Sequence, residues 1–456
     1  MAYIGSTIGA SIPCLLICFL AHPLQAAVPA EQAARLGNEL TPLGAVQAGN
    51  AEGTIPPWEG GVLEPPAGYR PGVHHPDPFA VDRPLFTITA ADLEQHADRL
   101  TPGQIAMLRR YPDTWRLPVY PSRRSASLPQ RIYASTIENA TRAELTADGN
   151  GVEGAAEGIP FPIPQNGLEA VWNHLLRYRG LTLRRETAQV TPTASGAYTE
   201  VRLDERAMYF YSQPGATIAS IGNRLANFLQ SVSAPPRLAG TLLLVHETLN
   251  QKAEPRQAWT YNPGQRRVRR APNVAYDNPG TASDGQRTSD QLDMFNGAPD
   301  RYEWRLMGRR ELYIPYNNYR LHSDSLTHDQ IIQAGHINPD HTRYELHRVW
   351  EVEATLKEDI SHIYARRQFF IDEDSWQIVV ADHYDRRDQL WRVAEAYTIN
   401  YYENPLVWET LLCVYDLQNG RYLAFGLNNQ LGVDQFGVAL EPADFTPEAL
   451  RRLGRR

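Results

Sequence analysis

Four arginines crowd into five positions of this chain. Arg266, Arg267, Arg269 and Arg270 follow the turn residues Tyr261-Asn262-Pro263-Gly264-Gln265. Guanidinium groups bind oxyanions through directed, paired hydrogen bonds. In an extended strand Arg267 and Arg269 share one side, while Arg266, Val268 and Arg270 share the other. Two readings stay open: one row meets lipid headgroups or a carboxylate-bearing cargo, or both rows pair with nearby Asp and Glu on a wet sheet. Immediately downstream runs a long polar stretch holding Tyr276, Asp277, Asp284, Asp290, Asp293, Phe295 and Asp300. Its carboxylates lack the EF-hand order and final Glu. A lid over a cavity or a self-packed connection both fit it.

The other reactive residue types are scattered. His322, His328, His336, His341 and His347 form no HExxH pair, and no GxSxG elbow occurs. His74 and His75 stand beside Pro76 and read as turn residues. The glycine-rich ADGNGVEGAAEG lacks the lysine followed by Ser or Thr of a phosphate loop and reads as a surface turn. Cys413, in VWETLLCVY, reads as a buried small hydrophobe. No catalytic set, metal ligand set or cofactor is expected.

The elements that must position these residues are mostly strands. Of 456 residues 42% are apolar, enough for a large core. A net charge of -8 argues against a globally basic nucleic-acid binder. Ile8 to Ala21 is apolar but short for a membrane span. Small residues at Ala26 and Ala27 follow it, so residues 1–26 read as a secretory signal, although no Lys or Arg precedes the run. Cys14 and Cys18 leave with it, and neither has the small preceding residue of a lipid-attachment site, so a soluble periplasmic protein is expected. Residues 27–165 are rich in Pro and Gly and read as a wrapping region with helices. Residues 166–448 carry the sheet and its packed helices, and 449–456 form a basic tail. Asn166 with Glu169 three positions on marks a helix start, and Leu168, Val171, Trp172, Leu175 and Leu176 give it an apolar face. A second helix is expected over 216–231, with Ile218, Ile221, Leu225 and Phe228 as its stripe. About eleven or twelve strands are expected after residue 180. Leu346, Trp350, Val352, Ala354 and Leu356 share one parity, against His347, Glu351, Glu353 and Lys357. Arg348 interrupts that pattern and is expected to snorkel at an edge. The fold class is mainly β with helices, an antiparallel sheet without βαβ alternation.

GNAEGTIPPWEGG, DPFAVDRPLFTIT, YPDTWRLPVYPSRRSA, GIPFPIPQNGLEAVWNHLLRYRG and EPRQAWTYNPGQRRVRRAPNVAYDNPGTASDG resemble the bacterial family called domain of unknown function 1329, over about residues 31 to 448. The family is similar in its strand-rich part to the lipoprotein carriers LolA and LolB. That resemblance implies a large, strongly curved antiparallel sheet, an incomplete barrel covered by helices, that shelters acyl chains. It implies that Val268 lines the concave face and that Trp259 and Tyr261 flank the ligand entrance; Arg267, Arg269 and Tyr276 complete the expected ligand-binding residues. The expected function is a periplasmic binding or transfer protein for a lipid, lipidated protein or other hydrophobic molecule at the outer membrane. Outer-membrane and exporter-type envelope proteins are the implied partners, with no nucleic acid. The alternatives are a non-catalytic structural or interaction component of an envelope complex and an envelope hydrolase.

Overall fold

The computed structural model describes residues 1, 28–271, 274 and 276–455. The expected signal segment lies outside the described residues, apart from Met1. The chain first forms strands β1 (Phe86–Ile88) and β2 (Leu117–Tyr120), with helices α1 (Pro102–Arg110) between them and α2 (Gln130–Arg142) after them. Helix α3 (Gly167–Leu176) starts as its residues dictate: the Asn166 side chain accepts from the Glu169 N–H, and Glu169 accepts back from the Asn166 amide and the Gln165 N–H. A meander follows: β3 (Thr182–Val190), β4 (Val201–Tyr209), β5 (Arg224–Ala234), β6 (Leu242–Thr248), β7 (Gln257–Asn262) and β8 (Arg267–Arg270). After the long connection come β9 (Tyr302–Pro315), β10 (Tyr344–Leu356), β11 (Arg366–Asp372), β12 (Ile378–Tyr384), β13 (Leu390–Tyr401), β14 (Leu406–Asp416), β15 (Tyr422–Leu427) and β16 (Gln435–Phe436), then helix α4 (Pro447–Leu453).

These sixteen strands make one sheet in the order β1-β2-β10-β11-β12-β13-β14-β15-β3-β4-β5-β6-β7-β8, with β9 also on β10 and β16 on β3. Every pairing is antiparallel except β2 with β10. The sheet stays open, with β1 and β8 at its ends. Seven register shifts, one of them at Leu225 in β5, interrupt the ladders. Each bulge bends and twists its strand, which is how so wide a sheet becomes a curved, incomplete barrel.

Both faces are covered. On one face α2, α3 and the long connection pack with Trp350, Phe369, Ile378, Trp408 and Phe425. On the other, α1 and residues 321–337 pack with Tyr344, Tyr397, Leu411 and Cys413. Strands β12, β14 and β15 are therefore buried at every residue. The wet polar face expected for 344–356 is also covered. Tyr316 stacks on His347 at 3.9 Å, and Arg348 lies against Glu373 at 3.3 Å instead of reaching solvent.

The helix expected over 216–231 is a turn followed by β5. Gly222 and Asn223 take φ of 54° and 68°, and that left-handed pair breaks any helix there. The bulge at Leu225 then lets Leu225 and Phe228, which share a helical spacing, face the same side of the sheet. The first part of the expected tail at 449–456 belongs to α4: Thr446 caps that helix, and Ala449 and Leu450 are buried on it.

Candidate functional site

Along β5 the covered face is not fully filled. Three consecutive cavities run beneath the connection 274–298. The largest, about 580 Å3, opens to solvent between the β3–β4 and β5–β6 turns, with Tyr198, Val201, Val232, Leu238 and Arg421 in its walls. Thr281 separates it from a second of about 150 Å3, floored by Phe228, Leu243, Val245 and Thr260. Phe228, Glu247, Leu292 and Asn296 border both that one and the innermost, about 60 Å3, which reaches Leu183, Ala207 and Trp408. Six residue steps from Val232 to Ala226, at about 3.3 Å each, give the row a length of roughly 20 Å.

The connection is the roof, and it is pinned unequally. At the inner end Asp293 receives Arg177, which is buried, and Arg179 at 3.1 Å. Burial works against the Asp293 charge, but Arg177 above all outweighs it and holds the carboxyl at about 2. His174 donates through Nε2 to the carbonyls of Asp293 and Phe295 at 3.0 and 3.1 Å, and its Nδ1 accepts from the Ile378 N–H. Burial and the Arg177 charge drive its imidazole down to about 3, so it stays neutral. Midway, Asp290 binds Arg367 at 2.8 Å and His362 at 3.1 Å. At the mouth the bonds are weaker: Gln189 donates to the carbonyls of Thr281 and Ala282, and exposed Asp284 meets Arg421 at 3.1 Å. Five non-glycine residues of the roof, Tyr276, Ala282, Asp284, Asp293 and Met294, take positive φ, a strained conformation held by those bonds.

Under the roof the floor holds one stacked charge cluster. Arg185 donates to Glu205 and lies over Phe425 at 5.0 Å. Glu409 is buried nearby with Oε2 unpartnered; burial, then the Asp293 charge, pushes its carboxyl up to about 8.

The pairing register places the expected site residues on two sides. Arg269 pairs with Thr260 and Arg267 with Asn262, so the Arg267–Arg269 row lies on the cavity face. Trp259, Tyr261 and Val268 lie on the opposite face and do not line the cavities. Tyr261 is 1% exposed, packed with Phe445 and Leu450, and Gly454 at the end of α4 sits directly on its ring. The phenol and indole that were expected at an entrance are the seat of the last helix. Tyr276 donates to Asp300 at 3.1 Å under the Arg301 guanidinium, and so anchors the roof's start. All four arginines of the hairpin are exposed, and none makes an ion pair with another described residue. The expected pairing of the rows with carboxylates is not seen among the described residues, whereas their expected exposure on a wet strand is.

Two buried clusters lie elsewhere. His75 bridges Glu403 at 2.9 Å and His322 at 3.3 Å, which makes it a pin for the wrapping segment and more than a turn residue. His347, Asp372 and Asp374 bring donor atoms within 4.8 Å of one another. Arg124 already holds Asp374 through two bonds of 2.6 and 2.8 Å, and Glu345 holds His347 at 3.0 Å. The Arg124 guanidinium thus already supplies the positive charge that faces Asp374.

Residues 87–451 match the model of a family described as protein of unknown function, DUF1329. The chain belongs to the DUF1329 family. It is 51% identical over 443 residues to the uncharacterized protein PA3922 of Pseudomonas aeruginosa, covering 97% of each chain. Among solved structures, a DUF1329 family protein from Desulfovibrio piger aligns over 60% of this chain and 92% of its own, at 15% identity and a TM-score of 0.42. A candidate outer membrane lipoprotein-sorting protein domain from Vibrio parahaemolyticus covers 63% and 98%, at 14% and 0.44. A LolA superfamily protein from Nitrosomonas europaea covers 60% and 94%, at 13% and 0.36. The roof and the hairpin both lie inside the span matched to DUF1329.

Proposed function

We propose that this DUF1329 protein is a periplasmic carrier that takes one amphiphile, a lipid or the acyl chain of a lipidated protein, into the row of cavities under the roof. The observation that carries the reading is that row: an open mouth, apolar floor residues Val232, Phe228, Leu243 and Val245 interspersed with Gln230 and Glu247, and a roof held loosely at the mouth. The mouth cavity falls within the several hundred Å3 usual for ligand sites. Its length of roughly 20 Å exceeds the reach of one leaflet, about 15 Å, half the bilayer's hydrocarbon core. Burying about ten methylenes at roughly 0.8 kcal/mol each gains on the order of 8 kcal/mol before ordering costs. Arg421 and Arg237 at the mouth suit an acidic headgroup. Export to the periplasm is supported by the apolar run Ile8–Ala21 ahead of Ala26–Ala27.

The test is saturable binding of an environment-sensitive fluorescent fatty acid to the full mature chain. Val232→Trp, which fills the mouth, should weaken binding at least tenfold while thermal stability stays close to wild type. Absence of saturable binding by the wild type, or equal binding by the tryptophan variant, overturns the reading.

A further inference from the structure

The arginine hairpin ends the sheet, and the carrier reading leaves it without a role. We infer that β8 and the α4 helix packed behind it form a cationic ridge that docks this protein edge-on against an anionic lipid surface. The first observation is convergence of charge from two separate elements. Arg266, Arg267, Arg269 and Arg270 are exposed on the hairpin, and Arg451 and Arg452 are exposed on α4. Val268 packs in one cluster with Leu450 and Leu453 of that helix, so the two groups of arginines are neighbours. The second observation is that none of the six makes an ion pair with a described residue. The buried arginines Arg177, Arg185, Arg343 and Arg367, by contrast, are all matched to carboxylates. The nearby acids do not cancel the ridge. Asp444 accepts from the Glu441 N–H at its own cap, which leaves Glu448 as the acid on α4 itself.

Charge complementarity selects the partner. A chain of net charge -8 is repelled as a whole by an anionic membrane, so contact has to be made through a local cationic face such as this ridge. The geometry favours a plane: β8 is the sheet's terminal strand, with Arg267 and Arg269 on the cavity face, Arg270 on the helix face and Arg266 in the turn before it. Both rows can reach one flat surface when the sheet stands on that edge. The ridge also lies beside the mouth, because Gly240, three residues after mouth-lining Arg237, packs on Pro263 of the hairpin turn. The carrier reading supplies only the orientation of this contact; the contact itself stands on the arginines.

Each arginine held at an anionic surface contributes about fivefold in partitioning, so loss of a pair lowers it roughly 25-fold. The experiment is co-sedimentation of the full mature chain with vesicles of 30% phosphatidylglycerol in phosphatidylcholine, against pure phosphatidylcholine, at low and high salt. Wild type should bind the anionic vesicles alone, and high salt should abolish the binding. Arg267→Gln with Arg269→Gln, and separately Arg451→Gln with Arg452→Gln, should each weaken it by about that factor with unchanged melting. Fatty-acid uptake measured without vesicles should be unchanged in both variants, so a failure of docking and a failure of the carrier reading are told apart. Equal vesicle binding by wild type and variants overturns the proposal. So does duplex DNA binding as tight as vesicle binding at the same salt, which would make the ridge a general phosphate reader.

Discussion

Replacing Asp293 by Asn should loosen the roof at its inner end, and the structure sets the size of the effect. Asn is the apt substitute because residue 293 has φ of 52°, a conformation Asn tolerates and Ala does not. The variant keeps an acceptor but removes the charge facing Arg177, whose side chain is 3% exposed. Arg177 then keeps only neutral acceptors, the His174 carbonyl and Gln377 Oε1, both at 2.7 Å. Breaking one side of a buried pair costs about 3–5 kcal/mol, and retention of an acceptor puts this case near 3. An entropy of unfolding of about 2.1 cal/mol/K per residue gives roughly 0.9 kcal/mol/K for a chain of this length, hence a fall in Tm of about 3 °C. The partner variant is Arg177→Met with Asp293→Asn, which removes the stranded cation and should recover most of the loss. Thermal unfolding by circular dichroism reads both, and hydrogen exchange at residues 281–296 locates the change. A single variant with unaltered Tm, or a double variant less stable than the single, would refute the view of this pair as the roof's inner clamp.

At the mouth, Asp284→Asn breaks an exposed contact worth under about 1 kcal/mol; Tm should stay within about 1 °C while stopped-flow association of the fatty-acid probe speeds up, and an unchanged rate counts against a latch there. Glu409 carries a pH signature: its carboxyl titrates near 4.5 when unfolded and at about 8 in the fold, so the native state holds the extra proton between those values. Wild-type stability should therefore fall, relative to Glu409→Gln, as pH rises from 5 to 8; melting curves showing no such divergence would mean that Glu409 is not kept neutral. Gly454→Ala puts a methyl into the Tyr261 ring and should cost about 1–3 kcal/mol or undock α4, read as faster C-terminal proteolysis; unchanged proteolysis and Tm would show the helix end free to shift.

Parity along a strand is a local property, and the residues carry it. The division of the hairpin into Arg267 and Arg269 against Val268 and Arg270 holds in the pairing register, while Arg266 falls in the turn, where strand parity does not apply. The start of α3 was equally legible, because Asn166 and Glu169 bond only to their own turn. Parity does not say which face of a sheet is covered by what. Val268, Trp259 and Tyr261 were assigned to a ligand face by resemblance, whereas Leu450 and Leu453, about 190 residues later, decide that they are helix seat. The cavity row was invisible for the same reason. Val201, Val232, Leu238 and Thr281 meet at the mouth from three separate segments. Only the polar stretch after residue 271 hinted at a roof, through its length and its aspartates. In β5, local spacing was misleading: Ile218, Ile221, Leu225 and Phe228 imitate a helix because a turn and a bulge happen to sum to its period.

The roof's anchorage has a direction, and that direction fits loading from the mouth. The carboxylates that hold it are buried everywhere except at the mouth: Asp284 is 63% exposed, while Asp290 midway is 2% and Asp293 at the inner end 11%. Opening the outer end exposes an ion pair already in water and frees two carbonyls that water can satisfy, so it costs little. Opening the inner end strands Arg177 and Arg367 in a dry interior, which is expensive. Positive φ occurs at both ends of the roof, at Ala282 and Asp284 as at Asp293 and Met294, and the pair beside the weak bonds relaxes first when these yield. A chain entering at Val232 would lift the roof from its outer end and meet buried charge first at Asp290 and then at Asp293, so the length of apolar chain admitted is set by where buried charge begins.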